Sequence, residues 1–305
     1  MSRHMTRLLD QRYAPSPAAT GIVVEQITTI RVSEELTMLE EERRQPYVES
    51  VLKAIRLLDC FRRGEPALPL PELVRRGGYS KTTTYRLLTT LEVAGWLERA
   101  PNGAFRLTIR PYQIGSILLD SLELRHEAPP VMRRLSQAVG QTAYLTIPAG
   151  THAVCIERID HGTAVRVMDL AVGGSQLLHL GAAPRALLAF GEDELLPGLL
   201  QAGLQARTPY SIVTEEALRA DLAETRRRGY SISDSDATVG VAAIGAPVFD
   251  VHERAVGAIS IGGLSEALMP PRPAHVEALL AAAAEVSTRL GSVRAAASGS
   301  APLPV

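Results

Sequence analysis

The sequence of 305 residues has only two cysteines, two lysines and one tryptophan, and it has no long apolar run. Cys60 and Cys155 lie far apart in apolar stretches, so we expect two buried thiols rather than a disulfide or a metal site. No apolar run approaches the roughly 20 residues that cross a bilayer, and the N-terminal residues lack the apolar core of a secretory signal. These absences predict a soluble, cytoplasmic protein that has no membrane partner.

Length and composition suggest about two domains of roughly 100–200 residues each. The formal charge of −1 neither favours nor excludes a polyanionic partner, so a binding site for one has to be sought in the charge of individual segments. Residues 1–46 contain a loop-like stretch and a charged segment with little to bury, and residues 294–305 are of low complexity. We predict a flexible N-terminal extension at 1–46 and a disordered tail at 294–305.

Residues 47–109 have the pattern of three helices followed by a hairpin. Apolar residues recur at helical spacing from Tyr47 to a stop near Arg63, and a second helix is expected over Leu70–Arg76. A third helix begins after the N-cap residue Ser80 and runs to about Ala94, and an Asn-Gly turn at 102–103 predicts two short strands. The ordered set predicts a winged helix-turn-helix domain, with the helix-turn-helix at about 70–89.

The third helix carries the chemistry that suits DNA. On a helical wheel Thr84, Leu87, Leu88 and Leu91 share the inward face, and hydroxyls, cations and one aromatic ring point outward. From Tyr47 to Arg110 there are eleven basic and six acidic residues, a local charge of +5 that favours a polyanion. The predicted DNA-binding residues are Ser80, Lys81, Thr82, Thr83, Tyr85, Arg86, Arg99 and Arg106.

The second half reads as mixed α/β. A helix over Tyr112–Arg125 is expected to break at Pro129-Pro130, and another follows over about 131–139, so we place a linker helix at 110–128 and a second domain at 129–293. Short apolar strand-like runs alternate with four longer helical segments, which predicts an antiparallel sheet flanked by helices. The strand-like runs are AYLTIP, AVCIERI, AVRVMDL, VAAIGAPVF and AVGAISIGG.

Residues 47–293 resemble the IclR-type transcriptional regulators. In the first domain the resemblance rests on Leu70, Glu72, Leu73, Gly78, Lys81, Thr82, Thr83, Arg86, Leu87 and Leu88, and on the wing residues Asn102, Gly103, Phe105, Arg106 and Leu107. In the second domain it rests on LLHLGAAPRALLAF at 177–190, on 226–250 and on AVGAISIGG at 255–263. The resemblance implies an α+β architecture, in which a winged helix-turn-helix is joined by a linker helix to a GAF/profilin-like α/β effector-binding domain.

The same resemblance implies a regulator that binds a small metabolite and a pseudo-palindromic operator, as a homodimer or a dimer of dimers, without catalysis or cofactor. By position, the effector-binding residues are Val165, Met168, Ala182, Ala183, Ser233, Ala243, Ser260 and Gly262. Where many members have an acid, a cysteine and two serines, this chain has Ser233, Ala243, Ser260 and Gly262. A pocket with fewer polar groups predicts a larger and more apolar effector, such as an aromatic or hydroxylated ring acid.

The remaining histidine and aspartate residues do not form a recognisable metal or catalytic site in the sequence. His161 and His179 are isolated, without metal-ligand spacing, and Asp234 and Asp236 lie in a predicted turn without evident facing geometry. We therefore expect no metal, no catalytic residue and no enzyme, and we favour a repressor over an activator. The alternative is a metabolite sensor or enzyme domain with a helical adaptor for protein contacts.

Overall fold

The computed structural model describes residues 47–120, 122–161 and 171–293. These residues form two compact units that divide the chain between Ile109 and Arg110. The predicted extension at 1–46, the tail at 294–305 and the strand-like run AVRVMDL at 164–170 all lie outside the described residues. No helix in the described ranges combines the length and the apolar character that crossing a bilayer requires.

The first unit is a winged helix-turn-helix. It comprises α1 (Glu49–Leu58), α2 (Leu70–Gly77), α3 (Lys81–Val93), β1 (Leu97–Arg99) and β2 (Phe105–Leu107). The first helix ends at Leu58, earlier than the predicted stop near Arg63. Leu68 pairs with Phe105, which adds a short third segment to the antiparallel β1–β2 hairpin. The core contains Leu57, Leu68, Leu73, Leu88, Leu91, Leu97 and Phe105.

The second unit contains seven named helices and six strands among its described residues. The helices are α4 (Arg110–Asp120), α5 (Glu123–Val139), α6 (Ala182–Phe190), α7 (Glu192–Ala202), α8 (Glu215–Arg228), α9 (Ser265–Leu268) and α10 (Pro273–Arg289). The strands are β3 (Thr142–Ala149), β4 (His152–Ile159), β5 (Ser175–Leu177), β6 (Ser231–Asp234), β7 (Val241–Phe249) and β8 (Ala255–Leu264). They form one antiparallel sheet in the order β5-β4-β3-β8-β7-β6, which confirms the predicted fold class.

The predicted break at Pro129-Pro130 is wrong, because α5 runs through both prolines. A proline inside a helix removes an amide donor and costs about 3 kcal/mol. The same helix buries Leu124, Val131 and Leu135 in the core of the second unit, and each such side chain contributes about 1.5–3 kcal/mol. Tertiary packing therefore outweighs the local preference, and the predicted boundary at 128/129 falls inside a continuous helix.

The sheet separates two layers, since alternate side chains of a strand point to opposite faces. One face packs on α5 and α10 through residues such as Ile244, Ile259 and Ile261. The other face carries α6, which packs on β7 and β8 and on α8 behind it. On this second face the start of α6 comes so close to β7 that only glycine fits at Gly245. A methyl group there would lie 2.8 Å from the Ala182 carbonyl carbon.

Candidate functional site

The third helix of the first unit presents a polar face on a well-anchored frame. The Ser80 hydroxyl accepts a hydrogen bond from the Thr83 amide at 3.2 Å and so caps the helix, as predicted. Thr84 is fully buried beside Leu88, which confirms the inward face of the wheel. Of the predicted residues on α3, Lys81, Thr82, Tyr85 and Arg86 are exposed and Thr83 is half-buried.

Ion pairing concentrates the positive charge of this unit on a few residues. The guanidinium of Arg76 is largely buried, pairs with Glu65 and Glu72, and donates to the Cys60 carbonyl, so it joins the end of α1 to α2. Hydrogen bonds from Arg75 and Arg76 lower the pKa of Glu72 to about 2. By contrast, Lys81 and Arg86 have no ion-pair partner among the described residues. The charges available to an outside polyanion therefore include the two on α3.

The two wing arginines are occupied within their own unit. Arg99 Nε lies 3.2 Å from Glu92, and its guanidinium carbon lies 4.3 Å from the Phe105 ring centroid and 5.7 Å from that of Tyr85. Arg106 Nε lies 2.7 Å from Glu98 across the hairpin. The sequence did not reveal these pairings. The Arg99–Glu92 pair links the wing to α3, whereas the Arg106–Glu98 pair lies within the hairpin. A DNA contact by either arginine would have to share or exchange its carboxylate.

The second unit contains a cavity between the start of α6 and the sheet. Its empty volume is about 630 Å³, including the space at its opening, which falls within the range of roughly 300–1,000 Å³ that is usual for ligand pockets. All six described residues from the predicted effector set line it: Ala182, Ala183, Ser233, Ala243, Ser260 and Gly262. Val165 and Met168 lie outside the described residues.

Strand register explains how distant segments form the cavity floor. Tyr144 of β3 lies opposite Ser260 of β8, which lies opposite Gly245 of β7. In the next row Gly262 lies opposite Ala243, which lies opposite Ser233 of β6. Nine of the eighteen lining residues are glycine or alanine. The space therefore comes from missing side chains on both the helix and the sheet.

A buried ion pair lies behind two lining residues of the cavity, Gly181 and Ser233. The carboxylate of Asp236 accepts hydrogen bonds from the Arg185 guanidinium, the Ser233 hydroxyl and the Gly181 amide. Arg185 is only 3 % exposed and also donates to the Ile232 carbonyl. The predicted effector residue Ser233 thus already has a partner. Asp236, expected to lie in a turn without a specific role, instead joins α6 to the end of β6.

Buried polar side chains on the cavity lining include three, at Thr146, Gln176 and Ser260, that have no hydrogen-bond partner among the described residues. Thr146, Gln176 and Ser260 are each 5 % exposed. Buried polar groups are usually satisfied, so these side chains are available to a ligand or to water. The described lining residues include no charged side chain. The first amides of α6, at Ala182 and Ala183, add donors that have no partner within the helix.

The sequence missed several of these lining residues. Tyr144, Thr146, Ala153, Cys155 and Gln176 line the cavity but were not predicted to do so. In AYLTIP the two-residue period would have placed Tyr144 and Thr146 on one face. Which face lies under α6 depends on long-range strand pairing.

The remaining candidates form no further site within the described residues. His179 is buried with Nε2 2.9 Å from the Gln205 carbonyl oxygen, and His161 is exposed. No group of three or more His, Cys, Asp or Glu side chains in these ranges could hold a metal ion. Cys60 and Cys155 are buried free thiols, as predicted.

Comparison with known proteins identifies both units. Residues 50–101 match the family described as the IclR helix-turn-helix domain. Residues 117–288 match the family described as the bacterial transcriptional regulator IclR C-terminal domain. Together these matches extend over most of the described chain.

Full-length relatives and solved structures agree with this assignment. The chain is 33% identical over 246 residues to the HTH-type transcriptional regulator KipR of Bacillus subtilis, covering 80% of this chain and 97% of KipR. It is 29% identical over 252 residues to the transcriptional repressor IclR of Escherichia coli, covering 81% and 92%. Its fold resembles that of an IclR transcriptional regulator from Alicyclobacillus acidocaldarius (TM-score 0.68, 26% identity, 81% and 100% covered). An IclR homologue from Microbacterium hydrocarbonoxydans, complexed with 4-hydroxybenzoate, is equally similar (TM-score 0.68, 26% identity, 79% and 99% covered).

Proposed function

The chain belongs to the IclR family of bacterial transcriptional regulators, and we propose that it is a ligand-responsive regulator whose α3 reads an operator in the DNA major groove. The observation that carries this proposal is the exposed face of α3. There Lys81 and Arg86 lack ion-pair partners in the described structure and stand beside Thr82 and Tyr85. Hydroxyl and guanidinium groups at a helix face can contact both phosphates and base edges.

The test compares two arginines of the same unit on the protein's own upstream intergenic DNA. Arg86→Ala is expected to weaken specific binding by about 1–3 kcal/mol if Arg86 contacts a base. Arg63→Ala removes an exposed cation that lies outside α3 and has no ion-pair partner in the described part of the chain, so it is the control for general loss of charge. Fluorescence anisotropy on operator and random duplexes gives the ratio of the two affinities. An unchanged ratio in Arg86→Ala would make Arg86 a phosphate contact only, and no binding by the wild type at low salt would refute the regulator itself.

For the effector we propose an aromatic or otherwise apolar acid bound in the cavity at the start of α6. The wall is rich in small residues, its described side chains carry no charge, and Thr146, Gln176 and Ser260 are unpartnered. A 2-oxo acid, being small and very polar, needs more convergent donors than this set offers. The relative crystallised with 4-hydroxybenzoate supports a ring acid. Micromolar binding of pyruvate or glyoxylate by isothermal titration would contradict this proposal.

The active species is proposed to be a homodimer that pairs into a dimer of dimers. In the second unit α4 exposes Ile114, Ile117 and Leu118 at helical spacing, and in the first unit α1 exposes Val51 and Ile55. Exposed apolar faces of this kind usually mark a surface that binds another protein. A dimer would match a pseudo-palindromic operator, because one helix reads only a few base pairs. We propose repression rather than activation, in keeping with relatives that are named repressors.

A further inference from the structure

We infer that Tyr144 selects flat rings over other apolar acids, with Gly262 making room for its ring and Arg158 holding it. This inference rests on the proposed effector-binding function and assigns its selectivity to one aromatic side chain. Among the described lining residues Tyr144 is the only aromatic one. The chain as a whole has few aromatic residues, 4% of its composition.

The position of the Tyr144 ring depends on two neighbouring residues. A Cβ atom at Gly262 would lie 3.3 Å from Tyr144 Cε2, so the ring occupies space that any larger residue would restrict. The Arg158 guanidinium carbon lies 5.5 Å from the ring centroid, from the neighbouring strand β4. The Arg158 side chain is itself only 10% exposed and pairs with Asp160. The packing of Arg158, together with the space left at Gly262, therefore favours the observed ring position.

The surroundings of the ring suit a flat molecule. Ser260, the cross-strand neighbour of Tyr144, offers a hydroxyl without a partner in the described structure. The small residues Ala182 and Ala183 at the start of α6 and Ala243 and Gly262 on the sheet line the same cavity. A planar ring can stack on Tyr144 while its polar substituents reach Ser260 and the amides of α6. A fixed partner loses little freedom on binding, which favours affinity.

The test uses three acids that differ in shape: benzoate, cyclohexanecarboxylate and pyruvate. Wild-type protein is expected to bind benzoate more tightly than cyclohexanecarboxylate, because stacking of two aromatic rings stabilises the complex beyond the burial of apolar area. Tyr144→Leu should weaken benzoate binding by roughly two- to twelvefold and leave cyclohexanecarboxylate binding within about twofold. Tyr144→Phe keeps the ring and should retain the preference. Gly262→Ala, which crowds Cε2, should reduce benzoate affinity.

Several results would overturn the inference. For the variants, they are equal weakening of benzoate and cyclohexanecarboxylate binding in Tyr144→Leu, or loss of the preference for benzoate in Tyr144→Phe. For the wild type, they are no binding of benzoate at millimolar concentration, or tighter binding of pyruvate than of benzoate. Thermal unfolding of each variant shows whether it remains folded, and Tyr144→Phe provides the comparison if the leucine variant does not. DNA binding without ligand is measured in parallel. Its absence in the wild type would refute the regulator. A wild type that binds no benzoate, or binds pyruvate more tightly, would refute the apolar effector as well, whereas the comparison of the Tyr144 variants bears on Tyr144 alone.

Discussion

Asp236→Asn is the substitution that most directly tests how much the buried Arg185–Asp236 ion pair stabilises the second unit. The carboxylate is 3% exposed and accepts from the Arg185 guanidinium, the Gly181 amide and the Ser233 hydroxyl. An asparagine has the same size and can keep an oxygen toward Arg185 and Gly181 while its nitrogen donates to the Ser233 hydroxyl oxygen, so the hydrogen bonds can largely persist. It nevertheless leaves the buried Arg185 cation without its best counter-charge.

The expected cost follows from what remains around Arg185. Breaking a buried ion pair by removing one partner costs about 3–5 kcal/mol. The lower end applies, because the Ile232 carbonyl still accepts from Arg185 and Asp221 Oδ2 lies 3.1 Å from its Nε. About 3 kcal/mol lowers the melting temperature of a unit of this size by about 6–12 °C. Differential scanning calorimetry of the full chain, following the transition of the second unit, measures this shift.

Asp221→Asn is the matched control. Asp221 approaches the same guanidinium, but its side chain is 22% exposed. The contact lacks hydrogen-bond geometry, since neither Arg185 Nε nor Asp221 Oδ2 has a hydrogen-bond partner within the described ranges. Its loss should cost about 1 kcal/mol or less. If Asp236→Asn were no more destabilising than Asp221→Asn, the assignment of Asp236 as the main counter-charge would be wrong.

Two further predictions concern packing and assembly. Gly245→Ala should destabilise the second unit by about 1–3 kcal/mol and weaken ligand binding, because its methyl group meets backbone atoms of α6. Gly198→Ala, in α7 with open space around it, should instead stabilise by about 0.5–1 kcal/mol in urea unfolding, and the reverse order would contradict the close approach. Ile117→Glu should shift the protein toward monomers in sedimentation velocity, and Val239→Glu, an equally exposed position on a turn, should not. If both variants assemble like the wild type, α4 is not the interface.

The bounds and the inward face of α3 could be predicted from the sequence, because the residues that determine them are close together in the chain. Ser80 is a good cap, the apolar spacing that follows fixes the inward face, and the buried position of Thr84 follows from the same period. The pairing of Arg99 with Glu92 could not be read in this way, since it depends on how the wing folds back toward α3. The sequence therefore identified exposed cations on the helix and on the wing, but it did not show that Arg99 and Arg106 form ion pairs.

The cavity could be predicted only through resemblance to a family. Asp236 and Arg185 are 51 residues apart in sequence, and no periodicity relates them. Tyr144 reaches the cavity because β3 pairs with β8 in a particular register, which the sequence of either strand alone does not determine. Pro129 and Pro130 illustrate the opposite error, in which a strong local signal is overruled by burial of the same helix.

The cations at the two candidate sites differ: those on α3 are exposed, and the one beside the cavity is neutralised by carboxylates. Each arrangement suits the ligand proposed for its site. Lys81 and Arg86 stand exposed without ion-pair partners in the described structure, so they can neutralise DNA phosphates and release the counterions condensed on the DNA. Arg185 lies beside the cavity but is neutralised by Asp236 and Asp221, since an unpaired buried cation would be costly. A free guanidinium in the cavity would also attract any small anion. With that charge satisfied, discrimination among acids is left to shape, to the neutral groups of Thr146, Gln176 and Ser260, and to the ring of Tyr144.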